Sequence, residues 1–141
     1  MQHIDSEIFR RAQEWLSDNF DEDTRNAVTH MIGNNPAELV DSFYRDLEFG
    51  TGGLRGIMGA GTNRMNKYTV GMATQGLANY LKKMFPLVRP VSVVVSHDSR
   101  NNSSYFARIV AEVFSANGFR VYLFNGLRPT PELSFAVRHL R

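Results

Sequence analysis

The chain has 141 residues, the size of one domain with a real core, and its 43% hydrophobic and 21% charged residues are ordinary for a globular protein. The formal net charge is only +2 despite a pI near 9.2, and the positive residues are scattered, which argues against nucleic acid as a partner. No run approaches the ~18 apolar residues of a membrane span, and the absence of cysteine excludes disulfides and thiol chemistry and fits a reducing, cytoplasmic compartment.

The first twenty residues mix charged and apolar side chains and show no signal-peptide pattern. Ile4, Ile8, Phe9, Ala12, Trp15 and Leu16 share one face of a predicted helix. Asp21 to Asp23 interrupt it. Thr24 is placed to start a second helix through Ala27, Val28, Met31 and Ile32, with Gly33-Asn34-Asn35-Pro36 as its stop. Asn35 is a good N-cap, Pro36 suits the first helical position, and Glu38 follows three residues after the cap. The third helix is expected to use Leu39, Val40, Phe43 and Leu47. Trp15 and its aromatic neighbours read as helix packing. These segments read as an N-terminal helical extension over residues 1–47, since no strand signal lies among them.

The character of the chain changes at Glu48. Six of its eleven glycines fall between Gly50 and Gly61, so this stretch needs unusual backbone geometry or the close approach of another molecule. A helix is expected from about Lys67, with Met72, Ala73, Gly76, Leu77, Tyr80, Leu81 and Met84 on its core face and Pro86 as its stop. Met65, Met72 and Met84 read as core filling. Val91 to Ser96 predicts a buried strand. Ser103 is placed to cap a helix whose core face is Phe106, Ile109, Val110, Val113 and Phe114, ending at Gly118. Arg120 to Phe124 predicts a second strand. Thr130-Pro131 then opens a last helix with Leu133, Ala136, Val137 and Leu140. Strand, helix, strand, helix is the signature of a mainly parallel sheet, with a third strand expected near the glycines.

Three segments offer chemistry. In Gly50-Thr51-Gly52-Gly53-Leu54-Arg55-Gly56, glycines let backbone N–H groups face an anion, and Arg55 adds a planar fork matched to phosphate oxygens. The stretch lacks a Gly-Lys-Ser/Thr ending, and arginine stands where a dinucleotide fingerprint needs its third glycine. On spacing alone, a plain turn with a surface arginine explains the residues equally well. Ser96-His97-Asp98-Ser99-Arg100 follows a predicted strand, the edge where open α/β sheets bind ligands. Consecutive side chains there point in opposite directions, so they do not form a triad. The structural reading has Asp98 or the Asn101-to-Ser104 run capping the next helix and Arg100 pairing with a carboxylate. Arg128-Pro129-Thr130-Pro131 reads as a rigid turn with Thr130 as N-cap. His3, His30 and His139 are scattered without metal-ligand spacing.

Four segments in order carry a resemblance. They are Leu47 to Gly56, Arg64-Met65-Asn66, Ser96 to Arg100 and Leu127-Arg128-Pro129-Thr130-Pro131. Together they resemble the first domain of the α-D-phosphohexomutases, in particular the long phosphoglucomutase and phosphopentomutase branch, which the helical extension also suits. The resemblance implies a three-layer α/β/α domain with a mainly parallel sheet, incomplete here, over residues 48–141. It implies a four-domain parent enzyme that moves phosphate between two hydroxyls of a sugar through a phosphoserine and a bisphosphate intermediate. Glucose 1-phosphate and glucose 6-phosphate would be its substrates, with pentose phosphates as a further choice, and Mg2+ and glucose 1,6-bisphosphate its cofactors. By similarity Arg55 lies beside the phosphoserine as the catalytic residue. Thr51, Gly52 and Gly53 would shape the phosphate-binding loop with it, and Asp98 and Arg100, on the alternative to their structural reading, would support the site from behind.

One departure from the family is sharp. Its nucleophile motif, Thr-Ala-Ser-His-Asn-Pro, normally follows the Pro-Thr-Pro segment and its helix. Here Ser96-His97 is followed by Asp98-Ser99 and lies upstream of Pro129, so Ser96 is not the phosphoserine. The metal loop is absent too. The expectation is therefore an N-terminal piece, cut before the phosphoserine loop and inactive alone. Its partners would be a phosphosugar, the remaining domains and a second copy at an exposed sheet edge, with no membrane and no nucleic acid. The alternative is a non-catalytic module that binds anions or phosphosugars on an α/β scaffold.

Overall fold

Three helices come first, each started by a side-chain cap, in a computed structural model that describes residues 5–140. His3 and Ile4 lie outside the described residues. Helix α1 spans Ser6–Glu14, and the Asp5 carboxylate accepts from the Glu7 N–H at 2.8 Å. Helix α2 spans Glu22–Asn34. It begins before the expected Thr24, because Asp21 accepts both the Thr24 N–H and its hydroxyl, each at 2.9 Å. Gly33 and Asn34 do not stop it; they are its last residues, and Asn35 ends it. Asn35 then caps α3, Pro36–Phe43, by accepting from the Glu38 N–H, with Pro36 in the first turn as expected. Helix α3 stops short of Leu47, whose N–H is instead tied to the Thr62 carbonyl at 2.8 Å.

The chain forms two compact units, one reaching to Thr69 and one starting at Val70. The core of the first is Ala12, Trp15, Val28, Met31, Leu39 and Phe43, with Phe20, Ala60 and Tyr68 packed against it. Trp15 stacks on Phe20 at 4.5 Å and meets Phe43 edge-on at 5.6 Å, the packing role its sequence context suggests. Leu16 does not join this core and is exposed. The glycine-rich stretch contributes strands β1, Phe49–Gly50, and β2, Gly53–Leu54. They pair antiparallel with each other, so the strand expected near the glycines forms a local hairpin.

Helix α4 spans Lys67–Met84, but its buried residues are Val70, Thr74 and Ala78. Met72 is 74% exposed, and Leu77, Tyr80 and Met84 are exposed as well, so these four leave the expected core face while Leu81 packs against the core as expected, and neither Met72 nor Met84 fills a core. The side of α4 that meets the core is set by Ala78, which packs with Phe114 and Phe119, and a Cβ built on Gly71 would make only ordinary van der Waals contact with Val113 and Ile109.

In the second unit, β3, Ser92–Val95, and β4, Arg120–Leu123, pair in parallel, Val93 opposite Val121 and Val95 opposite Leu123. Helix α5, Ser103–Ala116, connects them and packs on both. Ala78, Phe114 and Phe119 form the core, with Val93, Val110 and Val121 against it. Helix α5 ends as its sequence predicts. Gly118 has φ +79°, its N–H donates to the Ser115 carbonyl, and the Phe119 N–H donates to the Phe114 carbonyl at 3.1 Å. This is a Schellman stop, closed by Phe119 stacked on Phe114 at 5.2 Å. The start is corrected: Asn102 occupies the cap position in a left-handed backbone, φ 63°, and Ser103 is the first helical residue. Helix α6, Thr130–His139, packs on β3. Pro129, not Thr130, holds its cap position, and of its expected core residues Ala136 is buried while Val137 is exposed.

The fold is thus mixed α/β, with a parallel strand pair among helices, consistent with the α/β/α class. Among the described residues β3 and β4 pair only with each other.

Candidate functional site

The hairpin of the first unit turns at Thr51-Gly52, both exposed. Gly53 follows at φ +113°, a backbone that glycine adopts at no steric cost. Arg55 comes directly after β2, and its side chain folds back across the turn. A Cβ built on Gly52 would stand 2.9 Å from Arg55 Nη2. The guanidinium is exposed and makes no hydrogen bond or ion pair among the described residues. Its fork of donors is open. The hairpin turn thus brings Arg55 over Gly52, next to Thr51 and Gly53.

Behind that surface the stretch is fixed at several points. The Met65 N–H donates to the Ile57 carbonyl at 2.8 Å, and the Gly59 N–H to the Met65 carbonyl at 3.3 Å. Gly56 sits under Leu47, where a Cβ would come within 2.7 Å of Cδ1. Gly61, at φ +126°, presses on α3, where a Cβ would stand 2.5 Å from the Ser42 carbonyl oxygen. Arg64 is buried and donates to the Asp41 carbonyl at 3.1 Å and to Asp41 Oδ2 at 2.6 Å. Asn66 Nδ2 donates to the Gly59 and Gly61 carbonyls at 2.8 and 3.0 Å. Asn66 Oδ1 accepts from the Tyr68 and Thr69 N–H groups at the start of α4. The Thr69 hydroxyl accepts in turn from the Asn66 N–H at 3.1 Å, a reciprocal cap. The sequence reading missed this role of Asn66. The signal was present as Asn-x-x-Thr ahead of an apolar helix. Asp41 as the partner of Arg64 had no local signal, since 23 residues separate them.

Asp98 and Arg100 lie together in the second unit, in the loop after β3. Arg100 Nε meets Asp98 Oδ2 at 2.7 Å, and the Arg100 N–H donates to Asp98 Oδ1 at 3.1 Å. The Asp98 N–H donates to Ser103 Oγ at 3.1 Å. The Arg100 backbone N–H first, then the Ser103 hydroxyl, hold the Asp98 carboxyl below its ordinary value. Arg100 thus pairs with a carboxylate as the structural reading proposed, and Asp98 braces the turn before α5. His97 Nδ1 stands 3.5 Å from the Asp98 backbone oxygen, so these residues form no triad. Arg128 pairs with Glu132 at 3.1 Å across the first turn of α6. Both loops leave the carboxyl ends of the parallel pair. Among the described residues no group of three or more His, Asp or Glu is placed to hold a metal ion. Among them, too, no helix is long and apolar enough to cross a membrane.

The family profile described as phosphoglucomutase/phosphomannomutase, alpha/beta/alpha domain I, matches residues 46–141. A probable phosphoribomutase of Schizosaccharomyces pombe is 43% identical over 128 residues, 90% of this chain and 22% of the relative. A phosphopentomutase of Mus musculus is 38% identical over 98% of this chain and 23% of its own length. A phosphoglucomutase of Staphylococcus haemolyticus is 43% identical over 70% of this chain and 18% of its own. The chain spans less than a quarter of the length of these relatives. No solved structure matches it significantly.

Proposed function

The chain belongs to the phosphoglucomutase/phosphomannomutase family, and we propose that it is the N-terminal part of a phosphomutase that exchanges the 1-phosphate and the terminal phosphate of a sugar. The first domain would occupy residues 48–141, with the helices before it as an extension. In this reading a phosphoserine supplied by the rest of the protein gives its phosphoryl group to the free hydroxyl of the sugar phosphate. That leaves a free serine and a sugar bisphosphate. The bisphosphate reorients and returns its other phosphoryl group to the serine. Glucose 1-phosphate and glucose 1,6-bisphosphate fit this scheme. The pentose reading gains support from the relatives matched over nearly the whole chain, which are named for ribose or pentose phosphates.

The observation that carries the proposal is the open guanidinium of Arg55 laid over Gly52 on a fixed hairpin. A planar fork there donates two parallel hydrogen bonds to phosphoryl oxygens. The bonds strengthen as charge develops on the transferring group. Thr51 and the backbone of Gly52 and Gly53 complete the cradle. Asp98 and Arg100 would have a supporting role only, through the shape of their own loop after β3. Among the described residues no cluster of His, Asp or Glu fits a magnesium site, so a metal would be held elsewhere in the parent protein. The open edges of β3 and β4 would take further strands of the parent, or a second copy of the isolated chain.

Turnover of glucose 1-phosphate and ribose 1-phosphate by the full-length protein tests the reading. Arg55→Ala should lower kcat by about 100- to 1,000-fold, the usual effect of deleting one oxyanion donor. An unchanged kcat removes Arg55 from the mechanism. The 141-residue chain alone should give no turnover, because it holds no Ser-His-Asn-Pro motif. If the isolated chain is instead a stable monomer that binds phosphosugars unaided, the non-catalytic alternative gains.

A further inference from the structure

We infer that Asn66 is a positioning residue for Arg55: its carboxamide locks the glycine loop to the start of α4 and so sets where the arginine stands. The inference rests on the phosphomutase reading of Arg55 above. One side chain does two separable things. Its oxygen accepts the Tyr68 and Thr69 N–H groups, which caps α4. Its nitrogen donates to the Gly59 and Gly61 carbonyls, which closes the loop. Among the described residues the loop has, beyond the two-residue hairpin, only an isolated parallel bridge between Met58 and Met65. Its shape depends on these ties.

The path from Asn66 to Arg55 is short and made of contacts with little slack. Asn66 fixes the Gly59–Gly61 turn. Its neighbour Met65 donates to Ile57, two residues after Arg55. Met65 Cγ and the Leu47 methyls also close on Gly56, the residue next to Arg55, where a Cβ would find no room. Leu47 is held by the carbonyl of Thr62, the residue that follows this turn. Release of the Gly59 and Gly61 carbonyls therefore loosens both walls of Gly56. Buried Arg64, locked to Asp41, prevents the segment from shifting as a whole, so the displacement falls on the hairpin side.

The test separates the two jobs in the full-length protein. Asn66→Asp keeps the acceptor that caps α4, where aspartate is as good as asparagine, and removes both donors to the loop. Asn66→Ser also keeps a capping oxygen and adds no charge, so it serves where the aspartate variant does not fold. The expected result is a kcat lowered by about 100-fold, the effect of ~1 Å of misplacement, with KM within about twofold of the parent. Amide exchange at Leu47 and Met65 should quicken, while exchange in α1 to α3 stays unchanged. A folded variant with parental kcat overturns the inference. So does a loss of activity that follows the loss of folded protein and returns on cooling, since that is a purely structural role. If the parent shows no phosphomutase turnover, the functional reading fails separately. Exchange then judges the lock, and unchanged rates at Leu47 and Met65 overturn it.

Discussion

The Arg55 guanidinium lies across the backbone of Gly52, so near that a Cβ there would stand 2.9 Å from Nη2. The crowding atom is the far end of a flexible side chain, not backbone. Gly52→Ala should therefore fold normally, with Tm within about 2 °C of the parent, since the arginine can swing away at small cost. Its kcat should still fall, toward the value of Arg55→Ala. Arg55→Lys should recover little, because an ammonium lacks the planar fork. Differential scanning calorimetry and steady-state kinetics on the full-length protein check the split. A Gly52→Ala variant with parental kcat would show that the observed arginine pose is not the working one.

Gly61 is expected to behave in the opposite way. Its φ is +126°, and the obstacle is the Ser42 carbonyl, 2.5 Å from a built Cβ and fixed in α3. Gly61→Ala combines backbone strain with overpacking and should cost about 2–5 kcal/mol. Urea denaturation measures this directly. A cost below about 1 kcal/mol would mean that α3 and the loop separate easily.

Asp21 gives a pH dependence with a definite sign. The Tyr68 hydroxyl donates to its carboxylate at 2.7 Å, the Thr24 N–H caps it at 2.9 Å, and Lys67 pairs with it at 3.0 Å. These partners, Tyr68 first, hold its pKa far below the usual carboxylate range, against the opposing effect of burial. A lowered folded pKa means the stabilisation is fully present above the ordinary value of ~4 and is lost as pH falls below it. The stability gap between the parent and Asp21→Asn should be constant from pH 7 to 5 and shrink toward pH 2. Tyr68→Phe should cost about 1–2 kcal/mol at pH 7, allowing for the partly exposed carboxylate. A gap that widens on acidification contradicts the assignment.

Gly118→Ala probes the second unit. Its φ of +79° belongs to the Schellman stop that sets Phe119 on Phe114. Alanine there should cost about 1 kcal/mol, read as a shift in the thermal midpoint. A stabilising effect would mean the stop is not formed in solution.

Local chemistry was written plainly in the chain. Asn35-Pro36, the apolar β-branched run of β3 and Gly118 each declare their structure through interactions within a few residues, and each formed as expected. The cluster of six glycines with Arg55 marked the candidate site, because only a loop with special backbone needs so many. The family, too, followed from the order of four short segments.

Tertiary structure decided the rest. Periodicity showed that α4 has an apolar stripe of large residues, yet packing chose the stripe of Val70, Thr74 and Ala78, with Ala78 set against Phe114 and Phe119. Periodicity counts apolar residues and does not measure the distance to a partner. In the same way, Arg64 found Asp41, Gly61 met Ser42, and Asn66 tied the loop to α4. The sequence by itself marked Arg55, among its glycines, as the residue expected to face a phosphate. Only the folded chain decided where that arginine stands, because its place depends on carbonyls and side chains distant in sequence that the fold brings within a few ångströms.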